Sequence, residues 1–363
     1  MTREGSRMSL PTRQLGGTGM AVSGVGLGAW AIGGGGWRYS WGAQDDAESV
    51  ATIRYAVEQG VNWIDTAAVY GLGHSEEVIG RAVAGMPESE RPLVFTKCGL
   101  VWDEDDPSAA PYRVMRPESV RREVEGSLRR LGVERIDLFQ VHWPDTGASL
   151  EYDGVDEPGE SPPQATPIEE YWQVMDDLRT EGKVRAIGLS NHGVPLLERA
   201  EALAHVEVLQ PPFSAINRSN AAEVAWADEH GTGVIVYSPM QSGLLTGAFS
   251  RERVASLAAD DWRRGHVDFT DNLERNLDLA EALAPVAERH GTTRAAVAVA
   301  WAVAWPGVTG AIVGARSPRQ VDDWVAAGRL ELTAEDLAHI AEATVRTGAG
   351  EGPVVPAGAG APA

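Results

Sequence analysis

The chain has 363 residues, of which 43% are hydrophobic, and a formal net charge of −21. That charge disfavours nucleic acid and acidic membranes as partners, and a single cysteine, Cys98, excludes an internal disulfide and a multi-cysteine metal site. No apolar run approaches the ~20 residues that cross a bilayer, and the N-terminus has no signal-peptide core, so we expect a cytoplasmic protein.

Eight short apolar runs follow a glycine-rich hairpin predicted at residues 13–23. In chain order they read VSGVGLGAW, VNWIDTA, PLVFTKCG, IDLFQVHWP, VRAIGLSN, VEVLQPPFS, GVIVYSP and TGAIVGA. Helices are predicted after most of them, at residues 46–59, 75–84, 117–131, 168–181, 195–203, 220–229 and 318–327. Continuous apolar strands alternating with helices indicate parallel pairing buried on both faces. The predicted fold class is therefore α/β, a (β/α)8 barrel.

The segments outside this repeat set the predicted domain limits. A polar loop at 250–271 and helices at 273–290 and 293–305 separate the seventh and eighth strands, and a further helix at 333–344 closes the barrel. Two long loops, 101–116 and 145–167, follow the third and fourth strands. We predict a flexible leader at 1–11, a single barrel domain at 12–345 and a disordered tail at 346–363, because the tail is poor in aromatic and charged residues.

Polar side chains stand at the end of nearly every predicted strand. In a barrel of this type the functional groups lie on the loops at the carboxyl ends of the strands. We therefore expect these groups to meet at one mouth of the barrel: Asp65 and Tyr70, Lys97, His142, Ser190 and Asn191, Gln210, Tyr237 and Ser238, and residues 314–316.

The residue types at this mouth suggest proton transfer to an alkoxide. A tyrosine hydroxyl titrates near ~10 in water, and a neighbouring ammonium such as Lys97 favours its deprotonated form. Asp65 ends a buried strand, where an unpaired charge is costly, so we expect it to pair with Lys97. His142 would orient a carbonyl or share its proton. Without metal ligands or a serine nucleophile, Tyr70 as the acid suits an alkoxide formed by hydride addition from a cofactor.

The neighbouring strand ends suit a nicotinamide and an apolar substrate. Amide and hydroxyl groups at Ser190, Asn191 and Gln210 match a carboxamide, and Tyr237 could stack on a flat ring. The stretch GLGAWA at 26–31 formally fits a dinucleotide fingerprint, but no helix follows it, so we interpret it as a strand end that lines the nicotinamide pocket. Two tryptophans beside the mouth are candidates for an apolar substrate wall, Trp30 and Trp143.

The segments DTAAVYG, TKCG, DLFQVHWP, GKVRAIGLSN, GVIVYSP and IVGARSPRQV occur in order and resemble the motifs of the aldo-keto reductase family. The resemblance extends over residues 12–345. It implies a (β/α)8 barrel that binds extended NADP(H) without a Rossmann domain, and a tetrad of Asp65, Tyr70, Lys97 and His142 in which Tyr70 is the general acid and base. It further implies cofactor contacts at Ser190, Asn191, Gln210, Tyr237, Ser238, Pro239, Met240, Gly243, Leu244, Gly314, Arg316 and Gln320. We predict Trp30, at the glycine-rich end of the first strand, as a further cofactor contact.

The chain departs from the family pattern at the segment expected to hold the adenosine 2′-phosphate. Many members carry Lys, Arg and Asn where this chain has Gly314, Gln320 and Trp324. Arg316 with Ser317 still offers charge-assisted hydrogen bonds to a phosphate, so we expect NADP(H) ahead of NAD(H).

The predicted function is NADP(H)-dependent interconversion of an aldehyde, ketone or sugar carbonyl and an alcohol. Two alternatives remain open: an NAD-dependent sugar or polyol dehydrogenase, and a non-catalytic NADP(H)-binding regulatory subunit. The expected partner is a small carbonyl or alcohol substrate, with no nucleic acid and no membrane, and the expected state is a monomer or small homo-oligomer. The histidines show no ligand spacing, so no metal site is predicted.

Overall fold

The centre of the structure is a closed barrel of parallel strands. The protein is described as a computed structural model over residues 9–146, 148–150, 165–258 and 261–356. The strands are β1 Thr12–Gln14, β2 Ala21–Ser23, β3 Val25–Gly28, β4 Trp63–Asp65, β5 Leu93–Cys98, β6 Leu100–Val101, β7 Tyr112–Arg113, β8 Ile136–Val141, β9 Val184–Ser190, β10 Val208–Gln210, β11 Gly233–Val236 and β12 Gly310–Gly314. The barrel runs β3-β4-β5-β8-β9-β10-β11-β12 and closes on β3, which confirms the predicted fold.

Helices cover the outside of this barrel and fill the connections. They are α1 Asp46–Glu58, α2 His74–Val83, α3 Pro117–Leu131, α4 Ile168–Thr180, α5 Val194–Glu201, α6 Ala221–His230, α7 Arg251–Ala255, α8 Leu273–Ala282, α9 Ala284–Arg289, α10 Arg294–Ala304, α11 Pro318–Asp322 and α12 Ala334–Thr347.

Two predicted helices are each interrupted. The helix predicted at 273–290 divides into α8 and α9, because Pro285 lacks the N–H of a continuous helix and stands in the first turn of α9. The helix predicted at 318–327 ends with α11, and a 3-10 turn follows at Val325–Gly328. Between them Trp324 leaves helical geometry and is almost wholly buried.

The hairpin of β1 and β2 closes the amino end of the barrel. Its Leu15 and Met20 are buried in one cluster with barrel-interior side chains such as Trp63 and Phe95. Gly26 makes room for this packing, since a Cβ there would lie 2.3 Å from the Trp63 ring. The filled amino end leaves the carboxyl end as the open face of the barrel.

The chain after residue 346 differs from the predicted disordered tail as far as it is described. Helix α12 continues to Thr347, and the backbone N–H of Arg218 donates to the carbonyl of Glu351 at 3.0 Å. The buried guanidinium of Arg218 also donates to the carbonyl of Pro353 at 3.0 Å. In the predicted leader, Leu10 is buried against the core. Residues 1–8 and 357–363, and most of the predicted loop 145–167, lie outside the described residues.

Candidate active site

A cavity of about 630 Å³ opens at the carboxyl end of the barrel. Nearly all the predicted site residues line it, from Trp30, Asp65 and Tyr70 through His142 and Trp143 to Gly314, Arg316 and Gln320. Two predicted residues do not. Lys97 lies beneath the cavity floor with a fully buried side chain, and the predicted cofactor residue Leu244 places its side chain in the hydrophobic core instead.

The predicted ion pair between Asp65 and Lys97 is present beneath this floor. Lys97 Nζ donates to Asp65 Oδ1 at 2.5 Å and to the carbonyl of Thr66 at 2.8 Å. Burial lowers the pKa of Lys97, and the charge of Asp65 acts in the opposite direction. The Asp65 carboxylate thus stabilises the charged form of Lys97 at a buried position where water does not hydrate it.

Tyr70 lies directly above the ammonium group. Lys97 Nζ is 5.2 Å from the centroid of the Tyr70 ring, and the His142 ring meets Tyr70 edge-on at 5.7 Å between centroids. The strand-end positions of these residues explain why they meet, because β4, β5 and β8 are successive neighbours in the barrel.

The turn that carries Tyr70 is fixed by small residues. Ser75 Oγ donates to the carbonyl of Ala29 at 2.9 Å, and the backbone N–H of Ser75 donates to the carbonyl of Tyr70 at 3.1 Å. Gly71 has φ +62°, and a Cβ there would lie 2.1 Å from the carbonyl oxygen of Gly33. The two glycines allow the turn to press against the loop after β3.

His142 is a neutral group in this site at neutral pH. Burial, followed by the charge of Lys97, lowers the pKa of His142 well below its usual range. Its backbone is held on both sides, since its N–H donates to the carbonyl of Cys98 and its carbonyl accepts from Asn191 Nδ2, each at 3.0 Å. The neutral ring can orient a carbonyl by hydrogen bonding, whereas it is poorly suited to supply the proton.

The ends of β9, β10 and β11 form a connected polar wall. Ser190 Oγ donates to the carbonyl of Gln210 at 2.8 Å, and Asn191 Nδ2 donates to Ser190 Oγ at 3.1 Å. The Tyr237 hydroxyl donates to Asn191 Oδ1 at 2.8 Å. The four predicted nicotinamide residues therefore lie together and hold one another in place.

Sequence reasoning missed Gln140, which lies within the barrel beside Asp65. Its side chain is fully buried, and its Oε1 accepts a hydrogen bond from Gln210 Nε2 at 3.0 Å. A signal was available, because Gln140 is a polar residue in the apolar strand IDLFQV and precedes His142 by two positions. Side chains two apart on a strand share a face.

Aromatic side chains wall the cavity above Tyr70. The Trp30 ring stacks near Tyr70, with centroids 6.1 Å apart and planes at 22°. Trp30 Nε1 donates to the carbonyl of Tyr39 at 2.9 Å, and the Tyr39 hydroxyl donates to the carbonyl of Leu150 at 2.5 Å. Trp143 lines the same cavity. These contacts join the loop after β3 to the segment 148–150 over the predicted catalytic residues.

At the other end of the cavity, Arg316 is held by the loop that precedes α1. Its Nε donates to Gln44 Oε1 at 2.8 Å and its Nη1 to the carbonyl of Trp41 at 3.1 Å, and its Nη2 donates to the carbonyl of Ala43. Gln320 Oε1 accepts from the backbone N–H of Arg316 at 2.7 Å. Arg316 and Gln320 thus line the cavity while they also support its rim.

Two further residues lie at this end of the cavity, Asp323 and Trp324. Trp324 Nε1 is buried and has no hydrogen-bond partner among the described residues. A buried donor without a partner is uncommon and costs free energy, so this position is consistent with a site built for a polar ligand.

Within the described ranges, no three or more His, Cys, Asp or Glu side chains are grouped so that they could hold a metal ion. In that same part of the chain, no helix has both the length and the apolar character needed to cross a membrane.

Comparisons with known proteins place these features in a family. Residues 25–344 match the model of the Aldo/keto reductase family. The chain is 33% identical over 319 residues to the NADH-specific methylglyoxal reductase of Escherichia coli strain K12, covering 85% of this chain and 92% of that protein. It is 32% identical over 322 residues to the aldo-keto reductase YhdN of Bacillus subtilis strain 168, covering 88% and 84%.

A solved structure supports the same family assignment as these two relatives. The glycerol dehydrogenase AKR11B4 from Gluconobacter oxydans superposes with a TM-score of 0.81 at 35% identity, over 94% of this chain and 97% of that one. A family model that spans most of the chain, two sequence relatives and a matching barrel agree. The chain belongs to the aldo/keto reductase family of oxidoreductases.

Proposed function

We propose that the protein interconverts a small carbonyl compound and its alcohol by hydride transfer with a nicotinamide dinucleotide, and that Tyr70 is the general acid and base. The observation that carries this proposal is the position of Tyr70. It lies above a buried Lys97–Asp65 pair and beside a neutral His142, at the floor of the large cavity.

The proton would move at the Tyr70 hydroxyl. In the reductive direction the hydroxyl gives its proton to the substrate oxygen, and in the oxidative direction the phenolate takes the proton back. The positive charge of Lys97 stabilises the phenolate, and Asp65 holds that charge in place. His142 would hold the substrate oxygen within reach of the hydroxyl. The dinucleotide, when bound, supplies or accepts the hydride.

The lining of the cavity fits such a dinucleotide. Gln210, Asn191 and Ser190 would hold the carboxamide, and the Tyr237 ring would lie against the pyridine. From Ser238 onward the backbone has repeated left-handed residues, with φ of +57° at Ser238, +46° at Gln241 and +52° at Ser242. Successive backbone N–H groups in such turns form concavities that suit a pyrophosphate.

The 2′-phosphate separates two candidate cofactors. NADP(H), the cofactor predicted from the sequence, is supported by Arg316. Its guanidinium lines the cavity, uses three of its five N–H donors on the loop at 41–44 and retains two for a phosphate.

NAD(H) is the second candidate, and two observations favour it. Asp323 lines the same end of the cavity, where a carboxylate would repel a phosphate. One relative, the Escherichia coli protein, is named as NADH-specific. Dissociation constants for NADPH and NADH separate the candidates, because a working phosphate site should favour NADPH by at least tenfold.

For the substrate, we propose a small oxygenated compound. The relatives are named for methylglyoxal and glycerol, which are both three-carbon compounds. A panel of short aldehydes, ketones, sugars and polyols, followed by nicotinamide absorbance in both directions with both cofactors, tests the proposal. Turnover of at least one compound is expected. If the dinucleotide binds but no compound reacts in either direction, the protein would instead be a regulatory nicotinamide-binding subunit.

A further inference from the structure

Three buried polar side chains cross the floor of the cavity from different strands. Gln210 Nε2 donates to Asp65 Oδ2 at 2.9 Å and to Gln140 Oε1 at 3.0 Å. Gln140 Nε2 lies 3.4 Å from the same Asp65 Oδ2. All three residues are at most 3% exposed. We name this set, Asp65, Gln140 and Gln210, the amide belt.

The chemistry of the end groups fixes the direction of every hydrogen bond in the amide belt. The Lys97 ammonium can only donate, and it occupies Asp65 Oδ1. An ionised carboxylate can only accept, so the groups facing Asp65 Oδ2 must be the NH₂ ends of Gln140 and Gln210. The second N–H of Gln210 then donates to Gln140 Oε1.

The direction of these hydrogen bonds determines which end of the Gln210 amide is available in the cavity. Because both N–H groups of Gln210 are used within the amide belt, the carbonyl Oε1 of Gln210 is the end left for a ligand. Among the described residues none donates a hydrogen bond to that oxygen, and Gln210 lines the cavity. The wall beside a nicotinamide therefore offers an acceptor at this point.

Simple packing would not require this arrangement. An apolar side chain at Gln140 would fill the barrel interior without the cost of burying an amide. Space is provided for the longer polar side chain, since a Cβ at Gly188 would approach Gln140 Cγ to 3.2 Å. Among the described residues, the side chain of Gln140 hydrogen-bonds only Asp65 and Gln210, so we expect its effect on the reaction to pass through the amide belt.

We propose that the Lys97–Asp65 pair has a second role, in which it sets the polarity of the amide belt so that the Gln210 carbonyl accepts from the NH₂ of the nicotinamide carboxamide. Gln140 is a positioning residue in this arrangement. The inference rests on the proposed function, since it requires a nicotinamide beside Gln210. It assigns to the ion pair a contribution to cofactor recognition that is separate from proton transfer at Tyr70.

The variant Asp65→Asn reverses this polarity. The side-chain oxygen of the introduced asparagine would still accept from Lys97, so the NH₂ group of that asparagine would face Gln140 and Gln210. The Gln210 amide would then turn to present its oxygen to Asn and its NH₂ to the cofactor. An NH₂ group at this point of the wall can donate to the carbonyl of the ligand, but it cannot accept a hydrogen bond from the NH₂ of the ligand.

The test compares two cofactors that differ at this group. Dissociation constants are measured by quenching of tryptophan fluorescence for NADP⁺ and for its 3-acetylpyridine analogue, in which a methyl ketone replaces the carboxamide; the NAD⁺ pair is used if NAD⁺ binds more tightly. Wild-type protein should prefer the carboxamide by roughly 5- to 10-fold, the effect of one hydrogen bond. In Asp65→Asn the two constants should agree within about twofold.

A second variant covers the case in which Asp65→Asn fails to fold. Gln140→Met keeps the side-chain length, removes one acceptor for the Gln210 amide and should lower the preference by about threefold. Gln173→Met is the matched control, because Gln173 lies on the exposed face of α4 and its side chain bonds, within the described residues, only Asp177. Tyr70→Phe should retain the wild-type preference, since it leaves the amide belt intact.

The outcomes separate this inference from the proposed function. If wild-type protein binds neither dinucleotide, the proposed function fails. If it binds both cofactor forms equally, or if Asp65→Asn and Gln140→Met retain the wild-type preference, the inference is wrong and the proposed function stands.

Discussion

Removing the buried ammonium should destabilise the barrel much more than removing an exposed one. Lys97 and Asp65 have side chains that are 0% and 4% exposed. Breaking such a buried pair on one side leaves an uncompensated charge and typically costs about 3–5 kcal/mol. That is a large share of the roughly 5–15 kcal/mol by which domains are usually stable. Lys97→Met should therefore lower the free energy of unfolding by about 3–5 kcal/mol.

The double variant separates stability from chemistry. In Asp65→Asn combined with Lys97→Met neither buried charge remains, so most of the lost stability should return, to within about 2 kcal/mol of wild type. Turnover should stay low in both variants, because the charge beside Tyr70 is gone in each. Urea unfolding followed by far-UV circular dichroism, together with steady-state rates, measures both quantities.

Lys183 provides the control, since it is the only other lysine in the chain. It pairs with Glu125 through side chains that are 36% and 45% exposed, and exposed pairs are worth about 0–1 kcal/mol. Lys183→Met should change stability by no more than that. A Lys97→Met loss below about 1 kcal/mol, or a double variant no more stable than the single one, would refute the reasoning about the buried pair.

Two more predictions concern groups that support the site. Burial lowers the pKa of His192 to about 4, below the unfolded value of about 6.5. The contribution of His192 to the free energy of unfolding is therefore complete above pH 6.5 and is lost as pH falls toward 4. The loss amounts to about 3 kcal/mol. Acid titrations of unfolding should therefore be flatter for His192→Asn than for wild type, and equal slopes would contradict the assignment. Gly71→Ala should cut turnover at least tenfold by displacing the turn of Tyr70 from Gly33. Gly85 also has positive φ, but a Cβ added there would meet no described atom within 4 Å apart from its chain neighbours, so Gly85→Ala should lose only about 1–2 kcal/mol of stability. Similar turnover in both glycine variants would rule out the contact as the cause.

The architecture of the barrel was predictable from the sequence because its signals are local. Apolar runs alternate with helical segments, and a polar residue stands at or just after the end of most runs. The rule that strand carboxyl ends share one mouth then brings Asp65, Lys97 and His142 together. The pairing of Asp65 with Lys97 could be predicted as well, since a buried carboxylate requires a partner.

Features that depend on distant partners were not predictable in the same way. The direction of the Gln210 amide depends on Gln140, which lies 70 residues away in the chain. The bonds of Arg316 to residues 41–44 join segments more than 270 residues apart. The ordered chain near residue 351 depends on the buried cation Arg218, whose role as a clamp has no local pattern. In each case the sequence shows the residue type, but it does not show which distant residue is its partner.

The chemical role of Tyr70 is tested most directly by Tyr70→Phe, which removes the hydroxyl oxygen and leaves the ring among its neighbours. Turnover of the best substrate should fall by about 10²–10⁴-fold, the range of general acid–base contributions, while the dissociation constant of the dinucleotide stays within about twofold of wild type. A variant that binds the cofactor normally and retains a rate within tenfold of wild type would show that the proton comes from another group.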